Sequence, residues 1–124
     1  MSDAISALRL IAEHGKFIST ASAHAYAHTG AAPFPIEVIA LSDIEPFSHG
    51  PGVTGLERSR AFSILDALHC GTPLPPINVY RLPIFEEGYR FRLYHGYHRY
   101  HLCLALGFSH IPAAINPYQE EIAL

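Results

Sequence analysis

The sequence predicts one mixed α/β domain, because strand-type and helix-type hydrophobic patterns follow one another along its 124 residues. Two alternating apolar segments flank Glu86-Glu87-Gly88, which is typical of a β-hairpin. Two further segments have apolar residues at helical spacing and end at Gly71 and Gly107, where glycine favours helix termination. The order strand, helix, hairpin, helix, strand therefore predicts a sheet with helices packed on it.

Composition and charge place the chain among globular proteins. Hydrophobic residues make up 49% of the sequence and charged residues 15%, a balance that excludes a disordered chain. The formal net charge is −3 with histidine neutral, whereas dedicated nucleic-acid binders usually carry a basic excess. A local basic cluster is nevertheless predicted in the second half of the chain, formed by Arg81, Arg90, Arg92 and Arg99.

The termini and the cysteines indicate a cytoplasmic protein. The N-terminus lacks the basic segment of a signal peptide. No apolar run approaches the roughly 20 residues of a membrane span, so no membrane contact is expected. Cys70 and Cys103 both fall in apolar helical patterns, and we expect them to be buried, reduced thiols.

An N-terminal helical arm is predicted to precede the main domain. Residues 3–14 have apolar positions at helical spacing and precede Gly15, which favours a helix end there. Residues 19–29 are rich in alanine and predict a second short helix. The predicted arm, main domain and C-terminal tail cover residues 1–34, 35–116 and 117–124.

The main domain is predicted to begin with a strand and a loop that forms a lid. Residues 36–41 form an apolar, β-branched segment that predicts the strand. Residues 47–53 contain two glycines and a proline, which predicts a flexible loop. Such a loop can close over a ligand, so Ser48 and His49 are predicted to meet the substrate.

The later elements follow from helix-start, turn and strand signals. Thr54 and Glu57 have the spacing of a capping box, which predicts a helix from Thr54 to about Cys70. A proline-rich segment then leads to a hairpin, a second long helix and a last strand. These elements are predicted over residues 77–82, 89–94, 97–106 and 111–115.

The most informative segment is the glycine turn at Gly96, which leads directly into the second long helix. Backbone N–H groups and the helix dipole favour a bound anion at such a start. We expect Gly96 to allow close approach, the backbone of Tyr97 and His98 to cradle a phosphate, and Arg99 to grip its oxygens. His98 is also predicted to donate a hydrogen bond or to act as an acid or base.

Two other interpretations of this segment stay open. One is an ordinary strand-to-helix turn in which Arg99 pairs with a surface carboxylate. The other is a Zn²⁺ or Ni²⁺ site, because His95, His98 and His101 recur at three-residue spacing. This spacing is not a recognised metal signature, so we interpret the histidines as a neutral polar rim and predict no metal ligand.

Residues 36–115 resemble the ParB/sulfiredoxin superfamily domain in the order and spacing of several short motifs. The matching stretches are Ile39–Pro46, Gly71 with Pro76–Val79, Gly96–Tyr100 and Leu106–Ala113. The Gly96–Tyr100 stretch is most similar to the motif of the free-serine kinases in this superfamily. The resemblance implies a ParB/sulfiredoxin-like fold that binds a nucleotide or another phosphorylated small molecule at this stretch.

The chemistry that the resemblance implies is phosphoryl transfer or NTP hydrolysis with ATP or CTP and Mg²⁺. Tyr97 stands where sulfiredoxins carry their reactive cysteine, so sulfiredoxin activity is not implied. His95 stands where the free-serine kinases carry aspartate. Glu45 or Glu57 is predicted to serve as the Mg²⁺ ligand or as the base.

Two functions of other classes remain as alternatives. The arginine cluster beside tyrosines is compatible with a ParB-like nuclease or DNA-associated module, although the net charge of −3 counts against it. Replacement of the family's key cysteine and acid is compatible with a non-catalytic binding or scaffold protein that retains the fold.

Overall fold

Three α-helices and five β-strands make up the described part of the computed structural model, which covers residues 3–19, 24–30, 34–45, 56–86 and 88–117. The helices are α1 (Asp3–His14), α2 (Arg58–Cys70) and α3 (Tyr97–Leu106). The strands are β1 (Ile36–Ala40), β2 (Ile44–Glu45), β3 (Ile77–Glu86), β4 (Tyr89–His95) and β5 (His110–Asn116), with a 3-10 turn at Leu41–Asp43. The mixed α/β class is confirmed.

The five strands form one mixed sheet in the order β1-β5-β3-β4-β2. β1 is antiparallel to β5 and β3 is antiparallel to β4, as the predicted hairpin requires. β3 and β5 are parallel, because α3 carries the chain from the end of β4 back to the start of β5. α3 therefore starts where β4 ends, and this junction positions the candidate site.

The main core lies between the sheet and α3. Alternation along the strands directs Ile39, Ile77, Val79, Leu93 and Ile111 to the same buried cluster. From α3, Tyr100 and Cys103 enter this cluster. The predicted burial of Cys103 is thus confirmed, and so is the strand pattern of the hairpin.

A second apolar cluster joins the three helices to one another. It consists of Ala7 and Leu10 from α1, Ala61 and Leu65 from α2, and Leu102 from α3. The predicted bounds of α1 are confirmed, and Gly15 ends the helix in a left-handed conformation (φ 73°). The N-terminal helix therefore shares a buried core with two helices of the main domain.

The predicted second helix over residues 19–29 is wrong for the part that the structure describes. Residues 24–30 contain no helix, and His28 instead forms a parallel bridge with Leu74. Two backbone hydrogen bonds hold this segment, from Leu74 N to Ala27 O and from Thr29 N to Leu74 O, each 3.0 Å long. Pairing with a distant segment has overridden the helix propensity of the alanines.

The capping-box prediction at the start of α2 is also wrong. α2 begins at Arg58, and Glu57 is its N-cap in an extended conformation (φ −79°, ψ 130°) rather than a residue of the first turn. Thr54 and the proposed lid with Ser48 and His49 lie outside the described residues. At the other end of α2, Cys70 is exposed, so its predicted burial is wrong.

The helices that the structure describes include none that is both long and apolar enough to span a bilayer.

A hydrogen bond between α1 and α2 makes the stability of the fold dependent on pH. His14 Nε2 donates to Asp66 Oδ1 over 2.8 Å, and the Lys16 ammonium lies 3.9 Å from the same oxygen. The hydrogen bond from His14, aided by the charge of Lys16, lowers the pKa of Asp66 below its usual value. A carboxyl group with a lowered pKa stabilises the fold only while it is ionised.

We expect Asp66→Asn to lower the urea midpoint at neutral pH and to have little effect in strong acid. The stabilisation is complete above the pKa of an unfolded aspartate, about 3.9, and disappears as the pH falls through the lower pKa of folded Asp66. Urea titrations of the wild type and the variant from neutral to acidic pH measure this difference. Asp43→Asn is the matched control, and a difference for Asp66→Asn that stays constant in acid would contradict the prediction.

Candidate functional site

Gly96 forms the turn between β4 and α3 in a conformation that suits only glycine. Its φ is +103°, and it is the N-cap of α3. A β-carbon placed there would lie 2.6 Å from Cγ2 and 2.9 Å from Cβ of Ile77, which is closer than nonbonded atoms approach. The backbone of the turn therefore packs directly on the side chain of Ile77 in β3.

The N-terminus of α3 presents three backbone N–H groups in succession. The first hydrogen bond of the helix runs from Tyr100 N to Gly96 O over 2.9 Å. Tyr97, His98 and Arg99 precede this bond, so their N–H groups have no acceptor within the helix. Because glycine has no side chain, the N-cap residue itself supplies no cap. This is the arrangement in which helix starts hold phosphate oxygens.

Arg99 folds back beneath the glycine turn instead of extending into solvent. Its Nη1 donates to the carbonyl oxygen of Pro75 over 3.0 Å, and Tyr26 Oη donates to the same oxygen over 2.6 Å. Within the described parts of the chain, Arg99 forms no ion pair. The described residues give no support to the alternative in which Arg99 pairs with a surface carboxylate.

His98 joins the start of α3 to the start of α2. The backbone N–H of Glu57, the N-cap of α2, donates to His98 Nε2 over 2.8 Å. An accepting Nε2 means that the neutral ring carries its hydrogen on Nδ1.

The two helix starts produce a positive electrostatic potential at their meeting point. Each N-terminus carries roughly half a positive charge from its aligned peptide dipoles. The first turn of α2 adds Arg58 and Arg60, and the first turn of α3 adds Arg99. Acidic residues, which favour helix starts, are absent from both of these first turns. The carboxylate of Glu57, the N-cap of α2, offsets part of this positive charge.

Existing contacts neutralise two of these arginines in part. Arg58 lies 3.8 Å from a carboxylate oxygen of Glu13 and stacks over the Phe62 ring. Arg60 Nε lies 3.6 Å from Glu57 Oε2. These pairs are exposed to solvent and contribute little. Arg99 is thus the half-buried cation at the site that has no carboxylate among its described neighbours.

Of the two predicted acids, the structure places Glu57 at the site and Glu45 away from it. Glu57 Oε1 accepts a 2.6 Å hydrogen bond from Ser59, and its side chain is more than half exposed, while its backbone N–H donates to His98. Glu45 instead accepts from Arg92 Nε over 2.9 Å, level with Arg92 in the sheet. Arg92 precedes Gly96 by four residues, or about 13 Å of strand. Of the two acids, Glu57 is therefore the one whose backbone lies at the candidate site.

The Tyr97 side chain points into the protein, so only its backbone belongs to the candidate site. Its ring packs against the main core and contacts the His101 ring edge-on at 4.5 Å between centroids. His95, two residues before this tyrosine, is exposed at the end of β4. In the described ranges, no three histidine, cysteine or acidic side chains are close enough to hold one metal ion.

Cys103 does not replace the cysteine that the resemblance places at Tyr97. It is fully buried in α3, and burial raises the pKa of its thiol to about 12, although the charge of Arg99 opposes this shift. A thiol with such a pKa is protonated at neutral pH and is a poor nucleophile. Its role is to fill the core.

The predicted arginine cluster does not form one surface. Tyr80 is the cross-strand partner of Arg92, so these two side chains share one face of the sheet. Because Arg81 follows Tyr80 on β3, Arg81 faces the opposite side. Arg81 also pairs with Glu37 of β1, across the intervening β5, and Arg92 pairs with Glu45 of the neighbouring β2. Arg99 belongs to α3 and lies beneath the Gly96 turn. Arg90 and Arg92 lie two residues apart on β4 and share one face of the sheet, whereas Arg81 faces the other side and Arg99 lies on α3.

Two residues that position the site have no signal in the sequence. Pro75 supplies the carbonyl that holds Arg99, yet a proline in a rigid extended segment indicates only a connection. Tyr26 bonds to the same carbonyl from a segment that was predicted to be helical. Neither contact follows from local periodicity, because the partners are 24 and 49 residues apart.

Neither a scan of protein-family models nor a search of curated proteins finds a match to this chain.

Proposed function

We propose that this protein binds a nucleotide or another phosphorylated small molecule at the start of α3, as a ParB/sulfiredoxin-like domain. The observation that carries the proposal is Arg99, a partly buried residue without a carboxylate partner in the described residues, whose guanidinium lies against the Gly96 turn at the helix start. Only one of its five N–H donors is used by a described residue, and phosphate oxygens accept such donors in pairs.

The second helix start supports the same class of ligand. The bond from Glu57 N to His98 Nε2 holds the N-terminus of α2 beside that of α3. Two neighbouring anion-binding helix ends can hold a ligand with several phosphate groups better than a ligand with a single charge. A di- or triphosphate nucleotide such as ATP or CTP is therefore the proposed ligand.

Phosphoryl transfer or NTP hydrolysis is the reaction proposed for this site. Mg²⁺ is commonly held by one or two carboxylates together with the phosphates of the substrate, and Glu57 supplies one such carboxylate. When bound, Mg²⁺ would neutralise charge on the phosphates. Arg99 and the helix start would position the transferring group.

Calorimetric titration with ATP, CTP and GTP in the presence of Mg²⁺ tests the proposal. We expect saturable binding to the wild type. Arg99→Ala should weaken it by roughly ten- to a hundredfold, since a charged hydrogen bond contributes about 1.5–3 kcal/mol. Arg90→Ala is the matched control, because Arg90 is exposed on β4 and should leave the affinity unchanged. No binding of any of the three nucleotides at millimolar concentration would disprove the proposal.

A further inference from the structure

A groove lies around the carboxyl end of β5, at a part of the sheet that the candidate phosphate site does not use. Its volume is about 490 Å³, within the range of small-molecule pockets. The apolar part of its lining consists of Phe34, Pro35, Leu82, Ile115 and Pro117. Among the described residues, the lining of the groove is thus mainly apolar.

The groove carries one positive and one negative side chain. Arg81 from β3 and Glu37 from β1 line it, and their closest charged atoms are 3.7 Å apart. Their side chains are 59% and 54% exposed, so both charges are accessible. Arg81 is held in place by stacking over the Phe91 ring at 5.4 Å. A ligand with only one sign of charge would be attracted by one of the pair and repelled by the other.

A buried amide adds a third polar group. Asn116 lines the groove, and the residue is only 5% exposed. Its Nδ2 lies 3.3 Å from Asn78 Oδ1, 3.2 Å from Val79 O and 3.2 Å from Ala114 O, so its donors are used within the sheet. Across the part of the chain that the structure describes, Oδ1 accepts no hydrogen bond and remains available to a donor.

We propose that this groove binds a free α-amino acid with an apolar side chain. The α-carboxylate pairs with Arg81, whose planar guanidinium matches a carboxylate. The α-ammonium donates to Glu37 and to Asn116 Oδ1. The side chain packs against Phe34, Leu82 and Ile115. The ligand carries both charges on one carbon atom and therefore matches the paired charges of the groove.

This site is separate from the one at Gly96. His95, which precedes Gly96, is level with Asn78 of β3. Arg81 lies three residues further along β3, which is about 10 Å of strand. The result of testing the amino-acid site is therefore independent of the result for the proposed nucleotide site.

Titration with L-leucine, followed by NMR shifts of the Asn116 side-chain amide and of Arg81 Nε–H, tests the proposal. We expect saturable shifts confined to the groove. Leucine amide lacks the carboxylate and N-acetyl-leucine lacks the ammonium, so each should bind about tenfold more weakly than L-leucine. Equal binding of the three compounds, or no saturable shift at millimolar L-leucine, would overturn the proposal.

Variants of the charged pair provide the second test. Glu37→Gln and Arg81→Gln should each weaken the binding of L-leucine by about tenfold. Both side chains are exposed, so the variants should fold, and their melting temperatures check this. Arg9→Gln on α1 removes one positive charge outside the groove, as Arg81→Gln does within it, and should leave affinity unchanged. Unchanged affinity in both groove variants would also overturn the proposal.

Discussion

Gly96→Ala is expected to lower the free energy of unfolding by about 3 kcal/mol. The left-handed conformation at this position costs a residue with a β-carbon about 1–2 kcal/mol. Forcing that carbon against Ile77, at 2.6 Å from Cγ2, adds an overpacking cost of about 1–3 kcal/mol. The neighbour is a fully buried residue of the core, so it has little room to move.

Gly107→Ala separates the two parts of this cost. Gly107 has a similar φ of 96°, but no atom lies within 4 Å of the position that its β-carbon would take. We therefore expect Gly107→Ala to cost only the conformational part, about 1–2 kcal/mol. Urea unfolding of the wild type and both variants measures the difference. Equal losses of stability in the two variants would contradict the role assigned to the contact with Ile77.

The parts of the fold that the sequence predicts correctly are those with local signals. α3 has the predicted bounds because Gly96 lies directly before it and Gly107 directly after it, both in left-handed conformations. The hairpin follows from alternation and a turn with glycine at position 88. In both cases, residues only a few positions apart determine the structure.

The wrong predictions concern segments whose partners are distant in the sequence. Residues 24–30 pair with Leu74 instead of forming a helix. Glu57 is an N-cap whose N–H bonds to His98, 41 residues further along the chain. Propensity and capping patterns describe neighbours along the chain, so neither contact could be derived from them.

In the candidate site, too, the features with local signals are predicted and those that depend on distant partners are not. The location of the helix start follows from Gly96 in the sequence, and the structure brings Arg99, His98 and Glu57 to it. That Glu45 pairs with Arg92 elsewhere depends on the parallel pairing of β2 with β4. A two-residue edge strand has too short a pattern to be predicted from the sequence.

Leu102→Ala is expected to lower the free energy of unfolding by about 3 kcal/mol, within the range of about 2–5 kcal/mol for buried leucines. Leu102 is fully buried where α3 meets α1 and α2. Its removal leaves a cavity among Ala7, Leu10 and Leu65, whose backbones are fixed in helices and cannot close the gap. The substitution therefore measures how strongly α1 is bound to the rest of the domain.

Leu104→Ala is the matched control on the same helix. Leu104 is 44% exposed, so its truncation should change stability by no more than about 0.5 kcal/mol. Urea unfolding followed by circular dichroism gives both values, and a single shared transition is expected because the second cluster contains side chains from all three helices. If Leu102→Ala costs no more than Leu104→Ala, the packing of α1 on the rest of the domain contributes little to the stability of the fold.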